Sequence, residues 1–326
     1  MSFPIHRHRR MRRTAALRRL AAETSLSADD LITPIFVREG IDSPVEIPSL
    51  PGVVQHTVGS ATEFCKQLVD LGIPGVIIFG VPEKKDEIGS AAWDPDGIAQ
   101  VAIAEIKSTV GDELVVMADL CLDEYTSSGH CGLLGSDGDV DNDQTLGLYG
   151  KVAVAQAFAG VDFVGPSGMM DGQVGVIRSA LDEEGFIDVG IMAYSAKYAS
   201  ALYGPFRDAV DVTIANGGDR KTYQQDFRNA KESLSEILAD IEQGADIVMV
   251  KPAMTYLDIV SMASRAATVP VAAYHVSGEY AMIKAASANG WIDGDAIALE
   301  QLTAIKRAGA SMILTYFAPL ISELLA

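Results

Sequence analysis

Several features that mark particular protein classes are scarce in this sequence, and each absence narrows the possible functions. Only three of 326 residues are cysteine (Cys65, Cys121 and Cys131), too few for a disulfide framework, so a reducing cytoplasm is expected. No run approaches the roughly eighteen apolar residues that a membrane-spanning helix needs, and no hydrophobic stretch follows the N-terminal charges. Neither membrane insertion nor secretion is therefore expected.

Positive charge is also scarce, and it is unevenly placed. The net charge of −19 argues against nucleic-acid binding. Residues 1–22 nevertheless hold seven arginines and no acid, which leaves 18 basic against 44 acidic residues in the remainder. This composition is typical either of an arm that docks on the acidic body of a neighbouring subunit or of an organellar transit peptide. Because the segment is not Ser-rich, we favour an arm over residues 1–28; the acidic body is also compatible with a salt-adapted surface.

The remaining residues, 29–326, alternate between short apolar runs and helical patterns. Eight such runs are interpreted as strands, and helices are expected over 61–71, 98–110 and 230–243, up to 159 and through 184. Eight strands alternating with helices predict an α/β fold of the (β/α)8 TIM-barrel type. The competing fold is an open doubly wound sheet, but no G-x-G-x-x-G follows the first strand. The predicted strands are 31–37, 75–79, 114–120, 163–166, 189–195, 247–250, 270–274 and 311–316.

A glycine recurs at the positions where a predicted helix is followed by a predicted strand. Gly72, Gly160, Gly244 and Gly309 each follow a helical pattern and precede an apolar run. Glycine readily adopts the left-handed conformation that closes a helix. These positions are therefore predicted to end helices at the bottom of the barrel.

Polar residues stand at the predicted carboxyl ends of the strands, where a barrel places its chemistry. Lys251 closes the run 247–250 before a proline, and Lys197 follows another run. A desolvated lysine is neutral for part of the time and can attack a carbonyl as a Schiff-base nucleophile. A snorkelling lysine is the plainer alternative. Two lysines in one cavity are expected to lower each other's pKa. The strand-end set is Asp119, Ser167, Lys197, Lys251, Ser277 and Tyr316.

The loop after the third strand carries candidate metal ligands. Cys121, Asp123 and Cys131 lie within eleven positions of one another. Thiolates favour zinc, and three protein ligands leave one coordination position open. His130 is a possible fourth ligand, although two buried cysteines beside a helix-capping acid would give the same pattern. Cys65 is expected in the core, and His275, beside Tyr274, is ambiguous.

Residues 199–228 show little periodicity and are predicted to form a long loop. Four polar residues in it, Arg207, Arg220, Lys221 and Gln224, suit a lid that closes over a carboxylate substrate. A solvated surface loop is the alternative.

The chain resembles the porphobilinogen synthase (5-aminolevulinate dehydratase) family from the Arg-rich arm to Tyr316. The matching phrases are Tyr-Ser-Ala-Lys197-Tyr-Ala-Ser, Tyr-Gly-Pro-Phe-Arg207-Asp-Ala, Val-Met-Val-Lys251-Pro, Tyr-His-Val-Ser277-Gly-Glu-Tyr, Gly-His130-Cys131-Gly and Met-Met-Asp-Gly-Gln-Val. The resemblance implies a (β/α)8 lyase that condenses two 5-aminolevulinate molecules into porphobilinogen with loss of two waters, in tetrapyrrole synthesis. It implies a homo-octamer whose N-terminal arm embraces a neighbour, and no organic cofactor.

The resemblance also implies residue roles. Lys251 would form a Schiff base with the first substrate, and Lys197 with the second. Asp119 would be a hydrogen-bond and proton-transfer partner of the reacting amine. The implied substrate-binding residues are Ser277 and Tyr316 for the first carboxylate, Arg207, Arg220 and Gln224 for the second, with Phe206, Ser167 and Tyr274 nearby.

The metal loop departs from both family patterns. Zinc-dependent members have three cysteines in this loop, whereas magnesium-type members have aspartates at the second and third of these positions. The set Cys121, Asp123 and Cys131 is a mixture that still favours zinc, with altered affinity and possible admission of magnesium or another divalent ion. Glu236 falls where many bacterial members bind an activating magnesium.

The residues alone are compatible with two alternative functions. A class I aldolase also uses a Schiff-base lysine on a barrel, but it needs neither a second lysine nor the cysteine loop. A barrel that serves only as a scaffold or binder would leave the polar strand ends unexplained.

Overall fold

Eight parallel strands close into a barrel in this computed structural model, which describes residues 6–215 and 218–326. Each strand pairs with the next along the chain, and the last pairs with the first. Several strands are buried along their whole length and are apolar up to their last residue, as expected for a sheet covered on both faces. The barrel strands are β1 (Leu31–Arg38), β4 (Gly75–Val81), β5 (Val115–Leu120), β6 (Phe163–Pro166), β7 (Gly190–Lys197), β8 (Ile247–Lys251), β9 (Val271–His275) and β10 (Met312–Thr315). The predicted TIM barrel is confirmed.

Helices surround the barrel and alternate with its strands. The predicted helix over 98–110 has those bounds, and the other predicted helices agree within a few residues. Cys65 is fully buried in the core, as expected, and all three cysteines are free. The helices are α1 (Ala15–Leu20), α2 (Val58–Asp70), α3 (Ile98–Val110), α4 (Asn142–Phe158), α5 (Gln173–Glu183), α6 (Gly204–Ala209), α7 (Lys231–Glu242), α8 (Leu257–Ala266), α9 (Ser277–Ala288), α10 (Gly294–Ala308) and α11 (Ala318–Leu325). None of the helices formed by the described residues is long and apolar enough to cross a membrane.

The recurring glycine phrase ends helices, as predicted. Gly160 and Gly244 have φ angles of 95° and 106°, in the region that favours glycine. Two residues after each of them an aspartate carboxylate accepts a backbone hydrogen bond from a neighbouring strand. Asp162 binds the N–H of Val116 at 2.7 Å, and Asp246 binds that of Ile191 at 2.8 Å. The phrase therefore both ends the helix and fastens the bottom of the barrel.

Residues 199–228 are not a uniform loop, so that prediction was wrong in part. Ala201–Tyr203 forms a 3₁₀ turn, and α6 follows it with Pro205 in its first turn, where the missing N–H costs nothing. Six residues are too few to show a helical period. Asn216 and Gly217 of the predicted lid lie outside the described residues. We keep the name "lid" for residues 199–228.

Two short strands that the sequence did not predict extend the sheet beside the top of β1. They are β2 (Val45–Glu46) and β3 (Val54–His56), which pair antiparallel to each other. β3 also pairs in parallel with the end of β1. Gln55 of β3 donates to the carbonyl of Ala209 at 2.8 Å, so this extension supports the end of α6.

The described part of the N-terminal segment lies outside the core. A 3₁₀ turn at His8–Arg12 and α1 bury no residue in the single chain. Residues 1–5 of the predicted arm lie outside the described residues. An inter-subunit role for residues 1–28 stays a prediction.

Candidate active site

The two lysines singled out in the sequence face each other across neighbouring strands. β7 and β8 are parallel, and Lys197 is the register partner of Lys251. Both lysines end their strands, and their exposures are only 5% and 4%. Adjacent strands lie about 4.8 Å apart, so the register alone brings the two amines into one site.

Aromatic rings surround the amine of Lys251. Its Nζ lies 4.4 Å from the ring centre of Tyr274, 5.0 Å from that of Tyr194 and 5.1 Å from that of Phe206. Burial, followed by the positive charge of Lys197, lowers the pKa of Lys251 to about 7. About half of these amines are therefore neutral at neutral pH and able to act as nucleophiles.

Lys197 behaves differently, and the prediction that both lysines have a lowered pKa was wrong for it. Burial disfavours its charge, but the interactions with its acidic neighbours Cys131, Cys121 and Asp123 outweigh this and raise its pKa. Its Nζ donates to the carbonyl of Ser167 at 2.5 Å. The loop that carries Cys121, Asp123 and Cys131 thus makes the two lysines different: the Lys251 amine is partly neutral, whereas the Lys197 amine is charged.

Asp119 occupies the end of β5 next to this pair. Its Oδ2 accepts a hydrogen bond from Ser167 Oγ at 3.1 Å, while its Oδ1 has no hydrogen-bond partner among the described residues. Burial raises the pKa of Asp119 to about 6, against the opposing charges of Lys197 and Lys251. A carboxyl group with this pKa can both give and take a proton near neutral pH.

A cavity of about 880 Å³ opens over the lysines. Its lining includes Lys197, Lys251 and lid residues, among them Phe206, Arg207, Arg220 and Gln224. Arg220 Nε and Gln224 Nε2 are buried donors without an acceptor among the described residues. Because a buried unpaired donor is costly, these two groups indicate a place for an anionic or carbonyl oxygen.

Ser277 and Tyr316 are buried close to this site but are not among the described residues that line the cavity. Tyr316 OH lies 3.2 Å from Tyr274 OH, and the Tyr274 ring in turn contacts the amine of Lys251. Ser277, the first residue of α9, accepts a hydrogen bond from the N–H of Phe206 at 3.0 Å. Both hydroxyls are therefore connected to residues around Lys251.

The three predicted metal ligands come together. One ligand atom each from Cys121, Asp123 and Cys131 lies within 4.8 Å of the others, and all three residues are buried. Burial favours a neutral Cys131 thiol, but its hydrogen bond with Cys121 and the charge of Arg220 outweigh this and lower its pKa. Two sulfurs and a carboxylate at these distances fit a borderline-soft divalent ion such as zinc.

The two histidines that were possible site residues have other partners. His130 Nδ1 lies 3.1 Å from Tyr223 OH, and His130 is not part of the ligand cluster. His275 is fully buried between Thr315 Oγ1 and Gln301 Oε1, at 3.2 and 3.0 Å. Both are held as structural side chains in the described residues.

Sequence reasoning missed Tyr194, whose ring centre lies 5.0 Å from Lys251 Nζ and 5.6 Å from Lys197 Nζ.

Sequence reasoning also assigned no role to Glu124. This buried carboxyl has no hydrogen-bond partner among the described residues, and its oxygen lies within 4.8 Å of ligand atoms of Asp119 and Cys121. Burial, then the charges of Asp123 and Asp119, raise its pKa well above the usual range. Its position directly after Asp123 was the available signal.

One tyrosine hydroxyl contacts both the loop that carries Cys121 and Cys131 and the segment Ser167–Gly168 next to Lys197. Tyr149 OH donates to the carbonyl of Cys131 at 2.7 Å and lies 3.9 Å from Cys121 Sγ. The same hydroxyl is so close to Gly168 that a Cβ at that position would come within 1.6 Å of it. Gly168 follows Ser167, whose carbonyl holds Lys197.

Glu236 lies away from the lysines, in a cavity of about 320 Å³. Burial, then the charges of Asp240, Asp171 and Glu232, raise its pKa to about 7. Asp171, Asp226 and Glu232 also line this cavity, as do lid residues Tyr223 and Gln224.

Comparison with known proteins gives consistent results. A family model described as delta-aminolevulinic acid dehydratase matches residues 5–324. The chain is 58% identical over 319 residues to the delta-aminolevulinic acid dehydratase of Streptomyces coelicolor, covering 97% of this chain and 96% of the relative. The corresponding protein of Mycobacterium tuberculosis is 56% identical with the same coverage.

A solved structure agrees with both results. The delta-aminolevulinic acid dehydratase (porphobilinogen synthase) of Toxoplasma gondii, crystallised in complex with the reaction product porphobilinogen, matches with a TM-score of 0.96 at 40% identity. The match covers 98% of this chain and 92% of that chain.

Proposed function

The chain belongs to the delta-aminolevulinic acid dehydratase family and has its activity, that of a porphobilinogen synthase; we propose that Lys251 and Lys197 carry out the condensation as paired Schiff-base lysines. Two 5-aminolevulinate molecules join and two waters are lost. Each molecule brings one ketone and one carboxylate, so the site needs two amines and two carboxylate pockets. The register pairing of the two buried lysines is the observation that supports this proposal most strongly. A class I aldolase is no longer supported, because the family match covers nearly the whole chain.

The first substrate would bind at Lys251. The neutral amine, at a pKa of about 7, attacks the ketone carbon, and loss of one water leaves the Schiff base. Ser277 and Tyr316 would hold the carboxylate of this molecule. Both are buried hydroxyls connected to Lys251 through Phe206 and Tyr274, and a substrate would displace the contacts they make now.

The second substrate would bind on the lid side, at Lys197. Arg207 and the two unpaired donors of Arg220 and Gln224 line the cavity and would bind its carboxylate. Phe206 would close the apolar side of the cavity. Because Lys197 is held charged by the metal loop, it must lose its proton before it attacks a ketone.

Asp119 is the proposed proton carrier between the two substrates. Its unpaired Oδ1 and its pKa of about 6 suit it to remove a proton from carbon or nitrogen and return it to a leaving water. Ser167 would position it through the hydrogen bond to Oδ2.

Cys121, Asp123 and Cys131 would hold a divalent metal, with zinc favoured and magnesium as the alternative. Such an ion supplies Lewis acidity, and it would do so beside Lys197, whose charge the same three residues control. A second, activating magnesium at Glu236 is a separate proposal, supported by the carboxylates that share its cavity.

Borohydride trapping tests the lysine assignment directly. We expect reduction in the presence of 5-aminolevulinate to leave one substrate molecule attached to Lys251 as a secondary amine, which adds the mass of 5-aminolevulinate less one oxygen, because one water leaves and two hydrogens are added. Lys251→Met should abolish that adduct and reduce turnover by at least about a thousandfold, since the first covalent step is lost. Lys284→Met is the matched control, because Lys284 also lies over an aromatic ring, that of Tyr280, but outside the lysine cavity. An unchanged rate in Lys251→Met would refute the assignment.

Chelation followed by separate addition of zinc and magnesium tests the metal. We expect zinc to restore porphobilinogen formation and Cys131→Ala to bind zinc more weakly by direct titration. Restoration by magnesium alone would reject a thiolate-bound catalytic metal. Inactivity with both ions would count against the proposed mechanism.

A further inference from the structure

A lid arginine and a candidate metal ligand contact each other directly. Arg220 Nη2 lies 2.7 Å from Asp123 Oδ2 and donates to the carbonyl of Gly129 at 2.8 Å. The two side chains are only 10% and 3% exposed, so solvent screens this ion pair little. Both of these side-chain contacts are with the loop that carries the metal ligands.

Asp123 therefore belongs to two groups at once, the ligand cluster with Cys121 and Cys131 and the ion pair with Arg220. A carboxylate can serve both groups, because each of its two oxygens accepts independently. A cysteine at position 123 could serve only the metal, since its single sulfur is a weak hydrogen-bond acceptor.

The guanidinium of Arg220 has a further donor, Nε, that can bind a third group. Its Nε is buried and has no acceptor among the described residues, and the side chain lines the lysine cavity. When Nη2 is held by Asp123, this Nε–H is fixed in orientation rather than mobile. A fixed donor binds a carboxylate more tightly, because less side-chain entropy is lost on binding.

We propose that Asp123 couples metal binding to the lid: one carboxylate oxygen ligates the metal while the other holds Arg220, which in turn presents its free donor to the second substrate's carboxylate. This inference rests on the proposed function of the cavity. Metal binding would then order the lid and strengthen substrate binding. By thermodynamic reciprocity, a carboxylate bound at Arg220 would tighten metal binding by the same factor.

Among the described residues, the other hydrogen bonds between the lid and this loop use none of the side chains of Cys121, Asp123 and Cys131. Ala215 N donates to Ser128 O at 2.9 Å, and Tyr223 OH lies 3.1 Å from His130 Nδ1. Because neither contact uses a side chain of these three ligands, we expect both to persist whether or not a metal is present. The dependence on metal is therefore assigned to the Asp123–Arg220 pair.

Hydrogen exchange on the whole protein would test the coupling. The measurement compares backbone exchange across residues 219–226 in chelated and zinc-loaded protein. In the wild type we expect zinc to slow this exchange severalfold. Asp123→Cys and Asp123→Asn each lack the two carboxylate oxygens that would accept from Arg220 and bind the metal. In these variants zinc should leave the exchange rate of residues 219–226 unchanged, even when metal analysis shows that the site is fully loaded. Arg228→Gln is the control, because it removes an exposed lid ion pair, with Asp226, and should keep the zinc effect.

Zinc affinity provides a second readout. Titration against a chromophoric chelator, with and without the non-condensing keto acid 4-oxopentanoate, should show about tenfold tighter zinc binding with the acid in the wild type. Asp123→Cys should bind zinc more tightly but show no effect of the acid. Circular dichroism would establish that both variants are folded.

The outcomes separate this inference from the proposed function. Zinc that leaves wild-type exchange unchanged or speeds it, or protection that persists in both variants, would overturn the coupling. Loss of lysine trapping in the wild type would instead overturn the proposed function.

Discussion

Lys251 owes its reactivity first to burial, and two charged neighbours then shift its pKa in opposite directions. Burial and the charge of Lys197 lower its pKa to about 7, while Asp119 acts to raise it. The rate at which Lys251 captures a ketone should therefore rise with pH through about 7 and then level off, because only the neutral amine attacks.

Substitution of these neighbours should move that inflection in predictable directions. Lys197→Met removes a positive charge, so the pKa of Lys251 should rise and the inflection should shift to higher pH. Asp119→Asn removes a negative charge and should shift it to lower pH. Borohydride trapping of a single 5-aminolevulinate over a pH series measures both shifts. An inflection in Lys197→Met that is unchanged from the wild type would mean that the lysine–lysine interaction is negligible.

At the scale of single residues, the sequence predicted those that stand at strand ends. Lys251 and Asp119 follow apolar runs, and a barrel collects such positions at one face. Tyr194 could not be predicted in the same way. A register irregularity between Ala193 and Ala196 breaks the two-residue alternation of β7, so Tyr194 and Lys197 both face the site. The Asp123–Arg220 pair also joins two loops whose approach no local pattern reveals.

Among the elements, the turn after β8 and the start of α9 are fastened by one carboxylate. Glu279 Oε1 accepts from Met254 N, and Oε2 accepts from Val276 N, each at 2.7 Å. The side chain is 2% exposed. This carboxylate holds the segment that follows Lys251 against the helix that begins with Ser277.

Glu279→Gln should therefore destabilise the protein. An amide offers one oxygen, so one of the two buried N–H groups would face a donor instead of an acceptor. We expect a loss of about 1–3 kcal/mol, measured as a fall in Tm. Glu300→Gln, at an exposed position of α10, is the control and should leave Tm unchanged. Equal Tm values for the wild type, Glu279→Gln and Glu300→Gln would show that the two hydrogen bonds of the Glu279 carboxylate contribute nothing to stability.

Element boundaries were predicted well where periodicity was long and poorly where it was short. The pattern of α3 covers thirteen residues and gave its bounds directly. α6 has six residues and β2 has two. Such short segments do not show the repeating pattern of apolar residues by which a helix or a strand is recognised in a sequence. These short elements build the lid and its support, so the sequence predicted the barrel more fully than the cover of its active site.

For the whole molecule, charge is divided between an exposed basic segment and an acidic body. The turn and helix over residues 8–20 bury nothing in the single chain, although they carry most of the early arginines. We propose that this arm binds the acidic surface of another subunit and maintains a homo-oligomer, as the family resemblance implies for an octamer.

Deletion of residues 1–20 should therefore reduce the mass of the assembly measured by light scattering, while the circular dichroism of the barrel stays unchanged. High salt should act on the full chain in the same direction, because exposed charges are screened. A full chain in which Arg9, Arg10 and Arg12 are replaced by glutamine separates charge from length. If the truncated chain kept its full assembled mass, the arm would have no role in assembly.

Gly168 has no side chain to contribute, yet its position limits which sequences this site can tolerate. Any Cβ there would collide with the Tyr149 hydroxyl, which lies between the loop that holds Lys197 and the loop that holds the thiols. One added methyl group would thus disturb both halves of the chemistry together. In a survey of every single substitution, Gly168 should be as intolerant as the lysines, although it takes part in no step of the reaction.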